Sequence, residues 1–165
     1  MFSYWIGLFF LKTDITRIHD GNPGATNVLR TGPRWLGAAA IVLDFAKGMI
    51  PVALLSPHIQ GGDISLVLLA IAPVAGHAFT PFLWGKGGKA VAVTFGIWSA
   101  LTLWRVPMLL GSALVFTTLA INVKKDGWKV MFGLLAVVLY FLVSRAPGVH
   151  WAVLFLNTLI LVYKH

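Results

Sequence analysis

Long apolar segments separated by short polar joints make up most of the chain. Their lengths and spacing predict a short first helix and a series of longer helices, over residues 1–11, 36–55, 64–84, 90–103, 107–122, 130–144 and 150–163. Glycine and proline mark the joints, among them Gly32-Pro33, Gly61-Gly62, Gly87-Gly88 and Pro147-Gly148. The pattern therefore predicts an all-α fold in a single domain over 1–165.

The chain is too apolar for a soluble domain. Hydrophobic residues make up 58% and charged residues 11%, whereas a soluble domain carries about 25% charged residues. A chain of 165 residues cannot bury so much apolar surface in one core. We therefore expect a polytopic transmembrane bundle of about six to seven helices. Segment 1–11 is shorter than the roughly 20 residues of a spanning helix and lacks the features of a signal peptide, so we expect a truncated first helix.

The basic residues divide unevenly between alternate loops. The formal net charge is +8, and there is no cysteine to form disulfides or thiolate metal sites. One set of alternate loops carries Lys12, Arg17, Arg30, Arg34, Lys86, Lys89, Lys124, Lys125, Lys129 and Lys164. The other set carries only Arg105 and Arg145. The positive-inside bias places the first set in the cytoplasm, and basic loops facing an anionic leaflet explain the charge without a nucleic-acid partner.

The first polar segment with candidate chemistry is Asp20-Gly21-Asn22-Pro23-Gly24-Ala25-Thr26-Asn27-Val28-Leu29-Arg30. Its glycines allow a ligand to approach the backbone closely, and consecutive N–H groups can form an anion-binding nest. Asn22, Thr26 and Asn27 add neutral donors, and Arg30 can hold a phosphate through two parallel hydrogen bonds. A solvated loop between two helices remains an equal alternative.

The second polar segment is Gly76-His77-Ala78-Phe79-Thr80-Pro81-Phe82-Leu83-Trp84-Gly85-Lys86-Gly87-Gly88-Lys89. Two lysines flanking two glycines can draw a phosphate against bare backbone amides, although the spacing is not that of a P-loop. His77 is the histidine best placed for chemistry, or else it caps or packs a helix. The lysines alone would be ordinary residues of a membrane boundary, and the glycine pair between them favours a site.

Two charged residues lie inside a predicted apolar helix. Asp44 and Lys47 are three residues apart and therefore share a helix face. An unpaired charge within a spanning helix costs about 2.5–3.5 kcal/mol on insertion scales. We expect an internal ion pair that stabilises the bundle, with the alternative that the pair also supports a site at the cytoplasmic end of the helix.

Three sequence stretches resemble one family of membrane enzymes. GNPGATNVLR, LDFAKG and GHAFTPFLWGKGGK occur in the order and approximate spacing of the bacterial acyl-phosphate:glycerol-3-phosphate acyltransferases, the PlsY family. The resemblance extends from about Phe2 to the C-terminus. It implies transfer of a fatty acyl group from acyl phosphate to the sn-1 hydroxyl of glycerol 3-phosphate, in phospholipid biosynthesis. It also implies a multi-pass protein of the bacterial inner membrane with cytoplasmic motif loops, in contact with membrane lipids and with no cofactor or metal.

The resemblance also selects candidate site residues. The positions expected to bind phosphate or substrate are Gly21, Asn22, Gly24, Thr26, Asn27, Arg30, Lys86, Gly87, Gly88 and Lys89. Those expected to act in catalysis are His77, Arg30 and Lys89, with Asp44 and Lys47 as a supporting pair. We expect the first loop and Arg30 to hold one phosphate, and Lys86 and Lys89 to hold another.

The chain also departs from the family pattern. Asp20 stands where the family has serine, so a carboxylate enters a loop expected to bind anions. The family's polar third motif would begin near Tyr163, and the chain contains no glutamate, so a shortened homologue is expected. Two alternatives follow, namely an inactive homologue with a regulatory or binding role and a small permease or binding protein for phosphate-bearing solutes.

Overall fold

The computed structural model describes residues 1–59 and 63–165, and within these ranges it contains helices and no strand. The α-helices are α1 (Phe2–Phe10), α2 (Ala25–Thr31), α3 (Arg34–Leu55), α4 (Asp63–Ala78), α5 (Val91–Thr102), α6 (Arg105–Leu119), α7 (Asp126–Ser144) and α8 (Gly148–Lys164). Short 3₁₀ turns occupy Ile15–Arg17, Ser56–His58 and Pro81–Leu83. The predicted all-α fold is confirmed, while the predicted joint Gly61-Gly62 lies outside the described residues.

The helix boundaries differ from the sequence prediction by up to six residues, most at the end of α4, and one helix, α2, was not predicted. Helix α4 ends at Ala78, whereas the pattern predicted a helix over 64–84. Pro81 disfavours helical backbone in the preceding residue, and Thr80 is accordingly extended, with ψ 130°. The seven-residue helix α2 was predicted as part of a polar loop, and it brings the α-helices of the described ranges to eight.

The helices are apolar on their outer surfaces as well as between them. Three are long and apolar enough to cross a membrane, over Arg34–His58, Asp63–Leu83 and Asp126–Ser144 when the adjoining 3₁₀ turns are included. Helices α5, α6 and α8 are shorter but also apolar. Large side chains such as Leu68, Met108 and Val143 are exposed. Backbone hydrogen bonds satisfied within helices and an apolar exterior suit a lipid environment.

Close backbone contact between α3 and α5 positions the site described below. A Cβ on Gly48 of α3 would lie 2.6 Å from the carbonyl oxygen of Val93, and one on Gly96 of α5 would collide with the carbonyl oxygen of Phe45. Glycine at both positions therefore lets the two helices approach closely. This contact places Phe45 of α3 beside the middle of α5, and Gly48 beside its first turn.

A buried polar network joins α5 to α8. The Trp98 Nε1–H donates to Asn157 Oδ1 at 3.0 Å, and Asn157 Nδ2 donates to Thr94 Oγ1 at 2.9 Å. All three side chains are buried, and Trp98 also packs edge to face on Phe141 of α7. The network satisfies polar groups that would otherwise be costly inside an apolar bundle.

Candidate active site

Asn27 organises the first motif from within the protein. Its side chain is 1% exposed, and Nδ2 lies 2.9 Å from the Asn22 carbonyl oxygen, 3.0 Å from Asp20 Oδ1 and 3.3 Å from the Ile18 carbonyl oxygen. Gly21 takes a left-handed conformation, with φ +69°, that glycine adopts without strain. Asn27 thus holds the loop in a closed turn that leads into α2, where Gly24 is the N-terminal capping residue.

Asp20 links the two motifs. Its Oδ2 accepts a hydrogen bond from Lys89 Nζ at 3.2 Å, although the two residues are 69 positions apart. Its Oδ1 accepts from the Asn22 N–H and from Asn27. Desolvation raises the pKa of Asp20, but the hydrogen bonds from Asn22, Lys89 and Asn27 outweigh it and hold that pKa below the ordinary 3.8. Asp20 is therefore part of the loop structure.

The glycine pair of the second motif fixes its loop against the end of α4. The Gly87 N–H donates to the Ala78 carbonyl at 3.0 Å, and the Gly88 N–H donates to the His77 carbonyl at 3.1 Å. A Cβ on Gly87 would overlap both carbonyl oxygens, and one on Gly88 would collide with His77 Nε2. The expectation that bare amides of Gly87 and Gly88 meet a phosphate is therefore corrected, because these amides already bond to α4.

A buried cluster lies beneath the two motifs. Asp44 Oδ1 accepts from Lys47 Nζ at 2.6 Å, and its Oδ2 accepts from the Ser3 hydroxyl of α1. The same Lys47 Nζ lies 2.6 Å from His77 Nδ1. Asp44 is 1% and His77 5% exposed. The predicted Asp44–Lys47 pair is thus present. His77 joins it through Lys47, a contact that the sequence analysis did not predict.

One cavity of about 630 Å³ joins these features. The part of its lining that carries chemistry comprises Asp20, Asn22, Gly24, Thr26, Arg30, Asp44, His77, Lys89, Asp126, Lys129 and His165. The apolar part comes mainly from α3, α5, α6 and α7, with Ile41, Val42, Phe45, Val91, Phe95, Leu114 and Val130. A cavity with cations on one part of its wall and aliphatic and aromatic side chains on another suits an amphiphilic anion.

The predicted site residues separate into two groups. Those that line the cavity are Asn22, Gly24, Thr26, Arg30, Asp44, His77 and Lys89. Five others lie outside the lining but adjoin residues that form it, namely Gly21, Asn27, Lys47, Gly87 and Gly88. Lys86 is exposed and is not part of the lining.

Four residues of the site were not singled out from the sequence, and one of them, His165, lines the cavity from the residue that follows α8. Ser3 completes the hydrogen bonding of Asp44, and Asp126 and Lys129 line the cavity from α7. The signal for Lys129 was its membership of the basic set of alternate loops. Ser3 carried no local signal, because its partner lies 41 residues away.

Comparisons with known proteins bear on the family of the chain. The family profile "Glycerol-3-phosphate acyltransferase" matches residues 1–165. Glycerol-3-phosphate acyltransferase 1 of Thermotoga maritima is 39% identical over 92% of this chain and 81% of its own length. The enzyme of Leptospira borgpetersenii is 45% identical over 61% of this chain, which is 47% of its own length.

A solved structure has the same fold. The crystal structure of PlsY (YgiH), an integral membrane glycerol 3-phosphate acyltransferase in its glycerol 3-phosphate form, superposes with a TM-score of 0.79. It is 27% identical, over 99% of this chain and 84% of that one. The match confirms the helix bundle as that of an integral membrane protein. The chain therefore belongs to the glycerol-3-phosphate acyltransferase family.

Proposed function

We propose that this chain transfers a fatty acyl group from acyl phosphate to the sn-1 hydroxyl of glycerol 3-phosphate, giving lysophosphatidic acid and inorganic phosphate. The observation that carries the proposal is the convergence of both motifs on one cavity that has a cationic part and an apolar part. The solved PlsY forms are described as a glycerol 3-phosphate form and a lysophosphatidic acid form, which correspond to an acceptor and an acylated product.

The reaction needs positioning more than a protein nucleophile. The acceptor hydroxyl oxygen attacks the acyl carbonyl carbon, the bond from that carbon to the phosphate oxygen breaks, and phosphate leaves with the electron pair. The hydroxyl proton passes to a phosphate oxygen of the leaving group or of glycerol 3-phosphate. Because acyl phosphate is already activated, holding two anionic groups side by side and stabilising the developing charge can supply most of the rate.

Arg30 and Lys89 are the residues we assign to the phosphates. Arg30 lies near the C-terminal end of α2, lines the cavity and has no ion pair within the described residues, so its guanidinium is available to a ligand. Lys89 also lines the cavity, and its present partner Asp20 is a half-exposed carboxylate. We assign the second phosphate to Lys89 and not to the exposed Lys86. Asn22, Gly24 and Thr26 form the neutral wall beside Arg30.

His77 acts in this scheme as a hydrogen-bond donor. The Lys47 ammonium can only donate hydrogen bonds, so the His77 Nδ1 atom facing it must accept one. The neutral ring therefore carries its own proton on Nε2, the nitrogen that lies against Gly88. A donor at this place can orient a phosphate or stabilise the carbonyl oxygen, whereas a general base would need an unprotonated Nε2.

We further propose that the protein lies in the bacterial inner membrane with both motifs at the cytoplasmic surface. The uneven distribution of Lys and Arg between alternate loops supports this orientation. The contact between Asp20 and Lys89 supports a common side for the two motifs. Glycerol 3-phosphate would then enter from water, and acyl phosphate from the bilayer.

The test of the proposal is turnover by membranes that contain the protein. Labelled glycerol 3-phosphate with acyl phosphate is expected to give lysophosphatidic acid, and Arg30→Ala is expected to abolish the product. Arg34→Ala is the matched control, because Arg34 lies outside the cavity lining. Full activity of Arg30→Ala would refute the role assigned to Arg30, and no turnover by the unaltered chain would refute the activity.

An inactive, ligand-binding homologue is the second candidate, and the Asp20–Lys89 pair is the observation that favours it. A carboxylate already on Lys89 competes with a phosphate for the same ammonium. Binding of glycerol 3-phosphate without turnover, followed by recovery of turnover in Asp20→Ser, would support this second candidate.

A further inference from the structure

Lys129 contributes a third cation to the cavity. It lies one turn into α7, and its side chain is 18% exposed, less than that of Lys89 at 33%. It lines the same cavity as Arg30 and Lys89. An ordinary lysine of a membrane boundary extends its ammonium into water, so a largely covered lysine in a cavity wall calls for a specific explanation.

Lys129 and Lys89 have the same kind of partner. Lys89 Nζ lies 3.2 Å from Asp20, and Lys129 Nζ lies 3.2 Å from Asp126. Both carboxylates also line the cavity, and both are at least 43% exposed. Exposed pairs of this kind are weak. A dianionic phosphate in the cavity can therefore take over either ammonium from its monoanionic carboxylate.

The surroundings of Lys129 are apolar on one side. The next residue, Val130, lines the cavity together with Val91, Phe95 and Leu114. The same four residues also line a second, narrow crevice that continues between α5, α6, α7 and α8 towards Gly133 and Leu161. An anion held by Lys129 would thus have an apolar surface directly beside it, which suits a phosphate that carries a long acyl chain.

We infer that Lys129 binds the phosphate of the acyl donor, with the acyl chain against Val130, Phe95 and Leu114. The inference rests on the proposed acyltransferase function and adds to it a residue that binds one of the two substrates and not the other. Arg30 on α2 serves glycerol 3-phosphate, and Lys129 on α7 joins Lys89 in holding the phosphate of acyl phosphate. Lys129 is thereby a specificity residue for an amphiphilic anion.

Steady-state kinetics with both substrates varied test the inference. Removal of a charge-assisted contact by Lys129→Met is expected to raise KM for acyl phosphate about tenfold to a hundredfold, with KM for glycerol 3-phosphate nearly unchanged. Lys129→Arg should keep most of the affinity. Lys125→Met is the matched control, since Lys125 precedes the same helix, is exposed and lies outside the lining. Equal KM values for Lys129→Met and Lys125→Met, or an effect confined to glycerol 3-phosphate, would overturn the inference.

A binding measurement keeps this inference separate from the activity. A long-chain alkyl phosphonate, which cannot transfer an acyl group, is titrated into the purified protein and into Lys129→Met. If Lys129→Met binds the phosphonate at least tenfold more weakly than the unaltered protein, the result supports the role of Lys129 even where no turnover occurs. A lack of turnover counts against the proposed function alone. Unchanged affinity overturns the inference. Thermal unfolding verifies that the variant is folded, and Lys129→Gln takes the place of Lys129→Met in the same comparison if it is not.

Discussion

Gly87→Ala tests how the second motif is built. A Cβ at this position would overlap the carbonyl oxygens of His77 and Ala78, and backbone atoms at the end of α4 cannot move aside as a flexible side chain would. The loop must lift, which breaks the hydrogen bonds from the Gly87 and Gly88 N–H groups. Two such bonds stabilise by about 1–3 kcal/mol together, and overpacking adds about 1–3 kcal/mol.

Such an energy is large for one loop. Each 1.4 kcal/mol changes about tenfold the ratio of molecules whose loop is bonded to α4 to molecules whose loop is released. Because Lys89 leaves the cavity wall when the loop is released, we expect the kcat/KM of Gly87→Ala to fall by about tenfold or more. Gly76→Ala is the control, since nothing lies within 4 Å of a Cβ there and alanine favours the helix. Acyltransferase kinetics and thermal unfolding are measured on both. A Gly87→Ala variant as active as Gly76→Ala would refute the docking argument.

Three further substitutions test the buried and charged groups. Lys47→Met leaves the Asp44 carboxylate buried without the Lys47 ammonium, and we expect it to lower the stability of the folded protein by up to about 3–5 kcal/mol. Adding Asp44→Asn to Lys47→Met should restore much of the thermal stability, and no restoration would contradict the pairing. Because the pKa of Asp20 is below 3.8 in the folded protein, its contacts stabilise above pH 3.8 and are lost as the pH falls through the folded-state pKa. Asp20→Asn should therefore flatten the acid limb of the stability curve, and an unchanged limb would argue against those contacts. Asn157→Leu leaves the buried Trp98 N–H without an acceptor and should cost about 1–3 kcal/mol in unfolding experiments, whereas unaltered stability would show that the network is dispensable.

The pattern of hydrophobic residues was sufficient to predict the long helices but not the short helix α2. Long apolar segments bounded by glycine and proline can hardly form anything but helices in lipid. Helix α2 has only seven residues, including Thr26 and Asn27, which have low helix propensity. It forms because Asn27 bonds back to the preceding loop. A contact between loop and helix of this kind leaves no periodic signal in the sequence.

Several of the motif residues that the sequence singled out act on other protein atoms. A glycine signals that something approaches the backbone closely, and the sequence does not tell whether that neighbour is a ligand or the end of α4. Asp20 stood out as a carboxylate in a loop expected to bind anions, and its partner Lys89 is distant along the chain. Lys129 looked like one of many boundary lysines until the fold brought it into the cavity wall.

The central claim is that the two motifs form one site on one side of the membrane. The chain has no cysteine, so Asp20→Cys with Lys89→Cys introduces the only two thiols. A short bifunctional maleimide is expected to crosslink this pair in intact membranes and to fail with Asp20→Cys and Arg105→Cys, because Arg105 belongs to the opposite set of loops. Crosslinking of positions 20 and 105, with none between 20 and 89, would contradict the account.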